Sequence, residues 1–389
     1  MTKQPEKSPK SEQPIQLALF RLTGPSYTNA FEFYESIPRF LASGEKTKYS
    51  APDGSIRDAK RSKEGNLQPI KRSYIHQQQA YNLTIKPASL EDGDGFRSAF
   101  PGVREELIEF VIFKLAIKNG YFDDGEEGDA TQTDNYVVYT TVYEIQEELK
   151  KRKETKNAPY NYSQIIAGLQ VLSETKYVLQ GESKDNSFTF SPFVEFGYVN
   201  RDAEEGRLDR NATIYIKLNS LVSKSILAKS WRQISYDGVM KERSFLGRWL
   251  RKTLALRFTQ ASLLKPYNIR LSTLVNNSGL TPFERVTDSL KYVRKILDGL
   301  DLISHYDVKQ HYEQSDETGR KRLVDATLLL FPSKTFVGEQ MRVNAEHKRL
   351  QDAQIDGEGL PLLPPKKGDH ATPLGYQRAI SKFEDAKRK

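Results

Sequence analysis

Arg285, Asp288, Ser289, Lys291, Tyr292 and Lys295 occupy the outward positions of a predicted helix from Pro282 to Leu300. Its inward stripe is Val286, Leu290, Val293, Leu297 and Leu300, at the three-and-four spacing of an amphipathic helix. Such an outward face can hydrogen-bond nucleic acid. A guanidinium fork grips guanine O6 and N7 together, and ammonium groups seat on phosphates. The preceding stretch Glu242–Phe258 adds Arg243, Arg248, Arg251, Lys252 and Arg257, which read as phosphate contacts. An ordinary helix with a solvated charged face carries the same pattern. The charge distribution favours the first reading. From Glu205 to Leu300 there are 18 lysines and arginines against 7 aspartates and glutamates, a net of +11. The whole chain of 389 residues carries +8, with a pI near 9.2. Positive charge concentrated on one region is the electrostatic footprint of a polyanion partner.

A second polar face lies earlier. Asn161, Tyr162, Ser163, Gln164 and Gln170 line a predicted helix from Ser163 to Glu174, and Lys150, Lys151, Arg152, Lys153 and Lys156 precede it. That composition suits phosphate contacts with modest base reading, and equally a protein-binding surface. Far upstream, Gln16-Leu17-Ala18-Leu19-Phe20 stands alone in a polar stretch. Apolar residues clustered in an otherwise polar segment mark a binding site or pack back onto the core.

Catalytic signatures are missing. There is no cysteine, which excludes a disulfide framework, a thiol nucleophile and cysteine-based zinc sites. There is no phosphate-cradling Gly-x4-Gly-Lys-Ser/Thr loop and no His-Glu-x-x-His. The five histidines, His76, His305, His311, His347 and His370, are far apart in sequence. Tyr312 beside His311 has the chemistry of a nicking nucleophile but no partner ligands nearby. The carboxylates at Asp123, Asp124, Glu126, Glu127 and Asp129 lack calcium-loop spacing and read as a surface loop. A non-enzymatic protein with no cofactor and no metal is expected. No apolar run reaches membrane-spanning length. Met1–Gln13 lacks the apolar core of an export signal, so a cytoplasmic protein is expected.

The elements that must position these faces follow from periodicity. Residues 1–75 lack sustained periodicity, apart from a short helix suggested at Asn29–Leu41, and read as a disordered arm. Residues 76–205 predict a strand at Tyr81–Ile85, a helix at Val103–Asn119, a strand at Tyr136–Thr141, helices at Val142–Lys153 and Ser163–Glu174, and a hairpin of Tyr177–Gln180 with Phe188–Val194. That order describes a winged helix, whose second helix of the helix-turn-helix enters the major groove. Residues 206–336 repeat it at a spacing of roughly 120 residues. The repeat has a strand at Ala212–Leu218, helices at Ser220–Ala228, Glu242–Phe258 and Ser272–Ser278, then the Pro282–Leu300 helix and a closing hairpin. Thr281 as N-cap, Pro282 at N1 and Glu284 at N3 form a capping box for that helix. Residues 337–389 read as a polar tail, mostly disordered, with a helix suggested at Gly338–Ala353. The expected class is α+β, two tandem winged helices between a disordered arm and a flexible tail.

With these residues in view, the chain resembles the TrfA-type initiators of plasmid replication. Pro159–Tyr177 resembles that family's first reading helix. Ile214–Leu227 is similar to the opening of its second domain, and Ser244–Ile303 to that domain's helical core. Gln16, Leu17, Leu19 and Phe20 match the pentapeptide with which bacterial proteins bind the sliding clamp. The resemblance implies binding to direct repeats (iterons) at an origin and opening of AT-rich DNA, with contact to single-stranded origin DNA. It also implies recruitment of host helicase, initiator and sliding clamp, and a homodimer as an inhibitory form. A winged-helix transcriptional repressor without a replication role is the alternative.

Overall fold

The computed structural model describes residues 26–42, 48–50, 56–63, 65–92, 95–123, 135–151, 159–181, 187–199, 212–228, 230–280, 283–314, 321–351, 354–355 and 361–362. The class is α+β. Gln16–Phe20, Lys156 and the Thr281–Pro282 cap lie outside the described residues.

The chain opens with strand β1 (Tyr27–Ala30) and helix α1 (Glu32–Ser36), then a small ribbon, β2 (Lys48–Ser50) with β3 (Ile56–Asp58). Strands β4 (Ile70–His76) and β5 (Gln79–Lys86) form a hairpin, and β6 (Ala88–Asp92) with β7 (Gly95–Ala99) another. Helix α2 (Val103–Asn119) falls where its periodicity predicts it. After β8 (Gly120–Asp123) and β9 (Asn135–Thr141) come α3 (Val142–Lys150) and α4 (Tyr162–Glu174), with the Thr141 and Asn161 side chains accepting from backbone N–H groups in the first turns. Strands β10 (Lys176–Gln180), β11 (Ser187–Phe190), β12 (Phe193–Val199) and β13 (Thr213–Leu218) complete two antiparallel sheets, ordered β11-β10-β5-β4 and β12-β13-β9-β8. The predicted strand Phe188–Val194 is therefore two strands in two sheets, broken at Ser191–Pro192, because proline has no N–H for the ladder.

The two units share the expected helical pattern but differ in strand wiring. The helix-turn-helix α3–α4 and its hairpin are present, but β9 pairs with β13 and β8 rather than joining that hairpin. The boundary at residue 205 also moves. Strand β13 and helix α5 (Ser220–Leu227) bury Ile214, Ile216, Leu218, Val222 and Ile226 in the first core, as do β14 (Arg232–Ser235) and α6 (Tyr236–Lys241) with Ile234, Val239 and Met240.

The second unit begins at Ser244, whose Oγ accepts from the Gly247 N–H at the start of α7 (Phe245–Arg257). It continues through β15 (Tyr267–Arg270), α8 (Leu271–Ser278), α9 (Val286–Leu297), β16 (Ile303–Gln314) and β17 (Lys321–Pro332). Its sheet order, β15-β17-β16, together with α8–turn–α9, is a winged helix. The two wing strands are 12 residues each. Helix α9 starts at Val286, not Pro282, and Arg285 at its N-cap makes no side-chain capping bond.

The disordered-arm expectation fails for residues 26–42, where the helix suggested at Asn29–Leu41 is present as α1, and for β4, whose Ile70 and Tyr74 are buried. Strand β1 pairs with β14, two hundred residues downstream, and Phe31, Tyr34, Ile37, Phe40 and Leu41 are buried in the first core. The segment is a strap between the units. The helix suggested at Gly338–Ala353 is present as α10 (Lys334–Gln351), packed on the body rather than part of a loose tail. Phe336, Gln340 and Val343 are buried, and Gln340 and Asn344 accept hydrogen bonds from Arg232.

Helix α7 and a histidine contact are among the features that join the units. Helix α7 is buried nearly all round: Leu246, Trp249, Leu250 and Leu254 enter the second core, Ala255 and Leu256 the first. Across the seam, His76 Nδ1 accepts from Arg257 Nη2 at 3.0 Å, so the ring is neutral there. Burial, and then Arg257, hold its pKa below the usual value. The unfolded imidazole, near pH 6.5, takes up its proton first. Stability from this contact is complete above that pH and is lost as pH falls from about 6.5 toward the folded pKa. Between about pH 7.5 and pH 5.5, the melting temperature of the wild type should therefore drop further than that of His76→Asn. Parallel curves would remove the histidine from the seam energetics.

Candidate nucleic-acid interface

The amphipathic period of α9 turns Leu290, Val293 and Leu297 into the second core and leaves Arg285, Thr287, Asp288, Lys291, Arg294 and Lys295 exposed. Ser289, expected on the outward face, is buried, since it lies beside Leu290 and one turn before Val293. Tyr292 is half-buried, its ring 5.5 Å from that of Phe283. Arg294 was overlooked, although its position three residues from Lys291 and four from Asp298 puts it on the same face. Among the described residues, Arg285, Lys291, Arg294 and Lys295 form no ion pair. Asp298 accepts from the Tyr306 hydroxyl at 2.8 Å, tying the helix end to β16.

The wing stands beside this face. A groove of about 440 Å³ between α9 and the β16–β17 hairpin is lined by Lys291, Arg294 and Lys295 on one side and Gln310 and Leu323 on the other. A second hollow of about 300 Å³ lies at the helix N-terminus, where Arg285 and Thr287 meet Arg322 of the wing. Lys309, Lys321 and Arg322 are exposed along the hairpin. Arg285 and Arg322 line the hollow at the start of the helix together with Glu284, and three cations with Asp298 line the groove along its second half.

The basic residues of α7 are elsewhere. Arg248 is wholly buried and bonds Glu106 of α2 through Nε and Nη2 at 3.0 and 2.6 Å. Lys252 is buried between Glu35 at 3.1 Å and Glu106 at 3.4 Å. Arg251 pairs with Glu242 at 3.6 Å and Asp301 at 2.5 Å. Glu109 accepts from Arg39 and from the Tyr34 hydroxyl. Strap, α2 and α7 thus share one buried ionic cluster of Glu35, Glu106 and Glu109 with Arg39, Arg248 and Lys252. The expected phosphate contacts of Arg248 and Lys252 are corrected: both cations are out of reach of a duplex. Of that set Arg243 is exposed, just ahead of α7.

In the first unit, α4 offers less. Asn161 and Gln164 cap the helix reciprocally, each side-chain oxygen accepting from the other's backbone N–H at 2.9 Å. Tyr162 is half-buried against the core. The β6–β7 hairpin covers Val171 with Ala88, Leu90 and Ala99. Asn161, Ser163, Gln164 and Gln170 remain exposed. No helix is long and apolar enough to cross a membrane among the described residues, and no cluster of three metal-ligating side chains occurs among them.

The site is an exposed basic face on the second helix of a winged helix, beside a basic wing. No family model matches the chain, and no curated protein matches it. Among solved structures, the crystal structure of the RctB domains 2-3, RctB-155-483, is similar over 75% of this chain and 98% of that one, at 11% identity and a TM-score of 0.39.

Proposed function

We propose that this protein binds duplex DNA sequence-specifically through its second winged helix and initiates plasmid replication at direct repeats. The observation that carries the DNA reading is the row of unpaired cations on α9, facing a groove whose other wall is the wing. Arg285 is the base reader, and Lys291, Arg294 and Lys295 hold phosphates. The replication role rests on the resemblance of Pro159–Tyr177 and Ser244–Ile303 to the TrfA-type initiators. On that reading the chain is no enzyme, works in the cytoplasm without a cofactor, opens AT-rich DNA by binding it, and recruits the sliding clamp through Gln16–Phe20.

The test begins with the duplex that the full chain enriches from a random-sequence pool. Arg285→Ala should lose about 1–3 kcal/mol on that duplex and little on a scrambled one. Lys291→Ala should weaken both alike and flatten the salt slope by about one unit. An unchanged ratio between the two duplexes for Arg285→Ala would take the reading role from that residue. Direct repeats of the enriched sequence beside AT-rich DNA in the source plasmid support initiation; an inverted repeat at a promoter supports repression instead.

A further inference from the structure

Arg72 lies on β4 at the seam, 2% exposed. Its Nη2 donates to the Asn276 carbonyl at 3.0 Å, its Nη1 has no partner, and no carboxylate among the described residues pairs with it. Burial alone lowers its pKa, to about 10. A buried cation without a counter-ion costs stability, and an apolar side chain of the same size in its place is commonly neutral or stabilising. The residue therefore gains something other than stability.

What it touches is the end of α8. The last carbonyls of a helix have no donor within the helix and form the negative end of its dipole. Arg72 supplies one of those donors from the other unit. The next residues are held from the same side. The Asn277 Nδ2 donates to the Ile75 carbonyl at 2.9 Å, and its Oδ1 accepts from the Ile75 N–H at 3.4 Å, so the amide occupies the edge of β4 as a neighbouring strand would. Gly279 has φ +78, and a Cβ there would stand 2.1 Å from the Phe40 carbonyl oxygen. Its own carbonyl accepts from the Ala42 N–H at 3.4 Å. The turn between α8 and α9 is thus seated on the first unit and the strap.

We propose that Arg72 is a positioning residue for DNA reading: by capping α8 from the first unit, it sets the angle at which α9 meets the duplex. The inference rests on α9 being the reading helix. The experiment uses the full chain, Arg72→Met and Asn277→Ala, with the enriched duplex and its scrambled counterpart as probes. Arg72→Met should melt at or above the wild-type temperature. It should lose roughly tenfold in affinity for the enriched duplex, and keep its affinity and salt slope on the scrambled one. Asn277→Ala should shift the same ratio in the same direction, and decides the matter if Arg72→Met does not fold. Affinity for the enriched duplex within twofold of wild type overturns the proposal. So does a lowered melting temperature with equal losses on both duplexes, which is plain structural support. If the wild type enriches no sequence, the reading of α9 falls and takes this proposal with it; an enriched duplex that the variants bind normally sinks only the role of Arg72.

Discussion

A chain that begins at Ala42 should show no cooperative unfolding transition. The deletion removes Phe31, Tyr34, Ile37, Phe40 and Leu41, each no more than 6% exposed. At about 1.5–3 kcal/mol per buried large side chain, these five contribute on the order of 10 kcal/mol, as much as the net stability of a typical domain. It also strips β14 of its strand partner. Glu109 loses both its bonded partners, Arg39 and Tyr34, and Lys252 loses Glu35. Circular-dichroism melting decides the matter. A sharp transition within a few degrees of the full chain would mean that the strap is dispensable.

Glu106→Ala should be the most damaging single substitution at the seam. Glu106 sits between Arg248 and Lys252, all three buried, and those two cations hold its pKa below the usual carboxylate value against the effect of burial. Removing one partner of a buried ion pair costs about 3–5 kcal/mol, because the stranded charge stays in the interior. Replacing the pair together, as Glu106→Leu with Arg248→Met, should cost much less, since Lys252 keeps Glu35 and no charge is stranded. Melting temperatures of the single and double variants test the difference; equal losses would show that the cluster is solvated. DNA titrations give a second readout. Lys252→Met, once folded, should keep the wild-type salt slope, whereas a loss of about one unit would return Lys252 to the duplex.

The sequence reveals the parts of this molecule that are governed by local spacing. The stripe Leu107, Phe110, Val111 and Leu115 placed α2 to the residue, and the one-sided apolar faces of α4 and α9 marked the two candidate reading helices. What it concealed depends on partners far along the chain. Tyr27–Ala30 has no alternation of its own; it is a strand because Arg232–Ser235 completes it. The charge count on α7 registered Arg248 and Lys252 but not the carboxylates opposite, which lie 142 residues from Arg248 in one case. One clue was present. Leu246, Trp249, Leu250, Leu254 and Leu256 leave no wide polar face on that helix, so two cations four residues apart between them have to be buried and paired. On α9 the capping motif at Thr281–Glu284 misplaced the start. The exposed face was otherwise legible, save that Ser289 lies on the buried flank and Arg294 on the open one.

The strap also fixes an order of events during synthesis. The segment at Tyr27–Ala30 leaves the ribosome long before its strand partner, Arg232–Ser235. At about 5–20 residues per second, the wait for that partner is on the order of ten seconds or more. The hydrogen-bonding edge of Tyr27–Ala30 stays unpaired until then, and closing so long a loop slows the final assembly. The winged helix from Ser244 to Pro332 draws its sheet pairings from within itself, and that sheet can form quickly once made. The strap is thus made well before its sheet can be completed, and nascent copies are open to chaperones and proteases there.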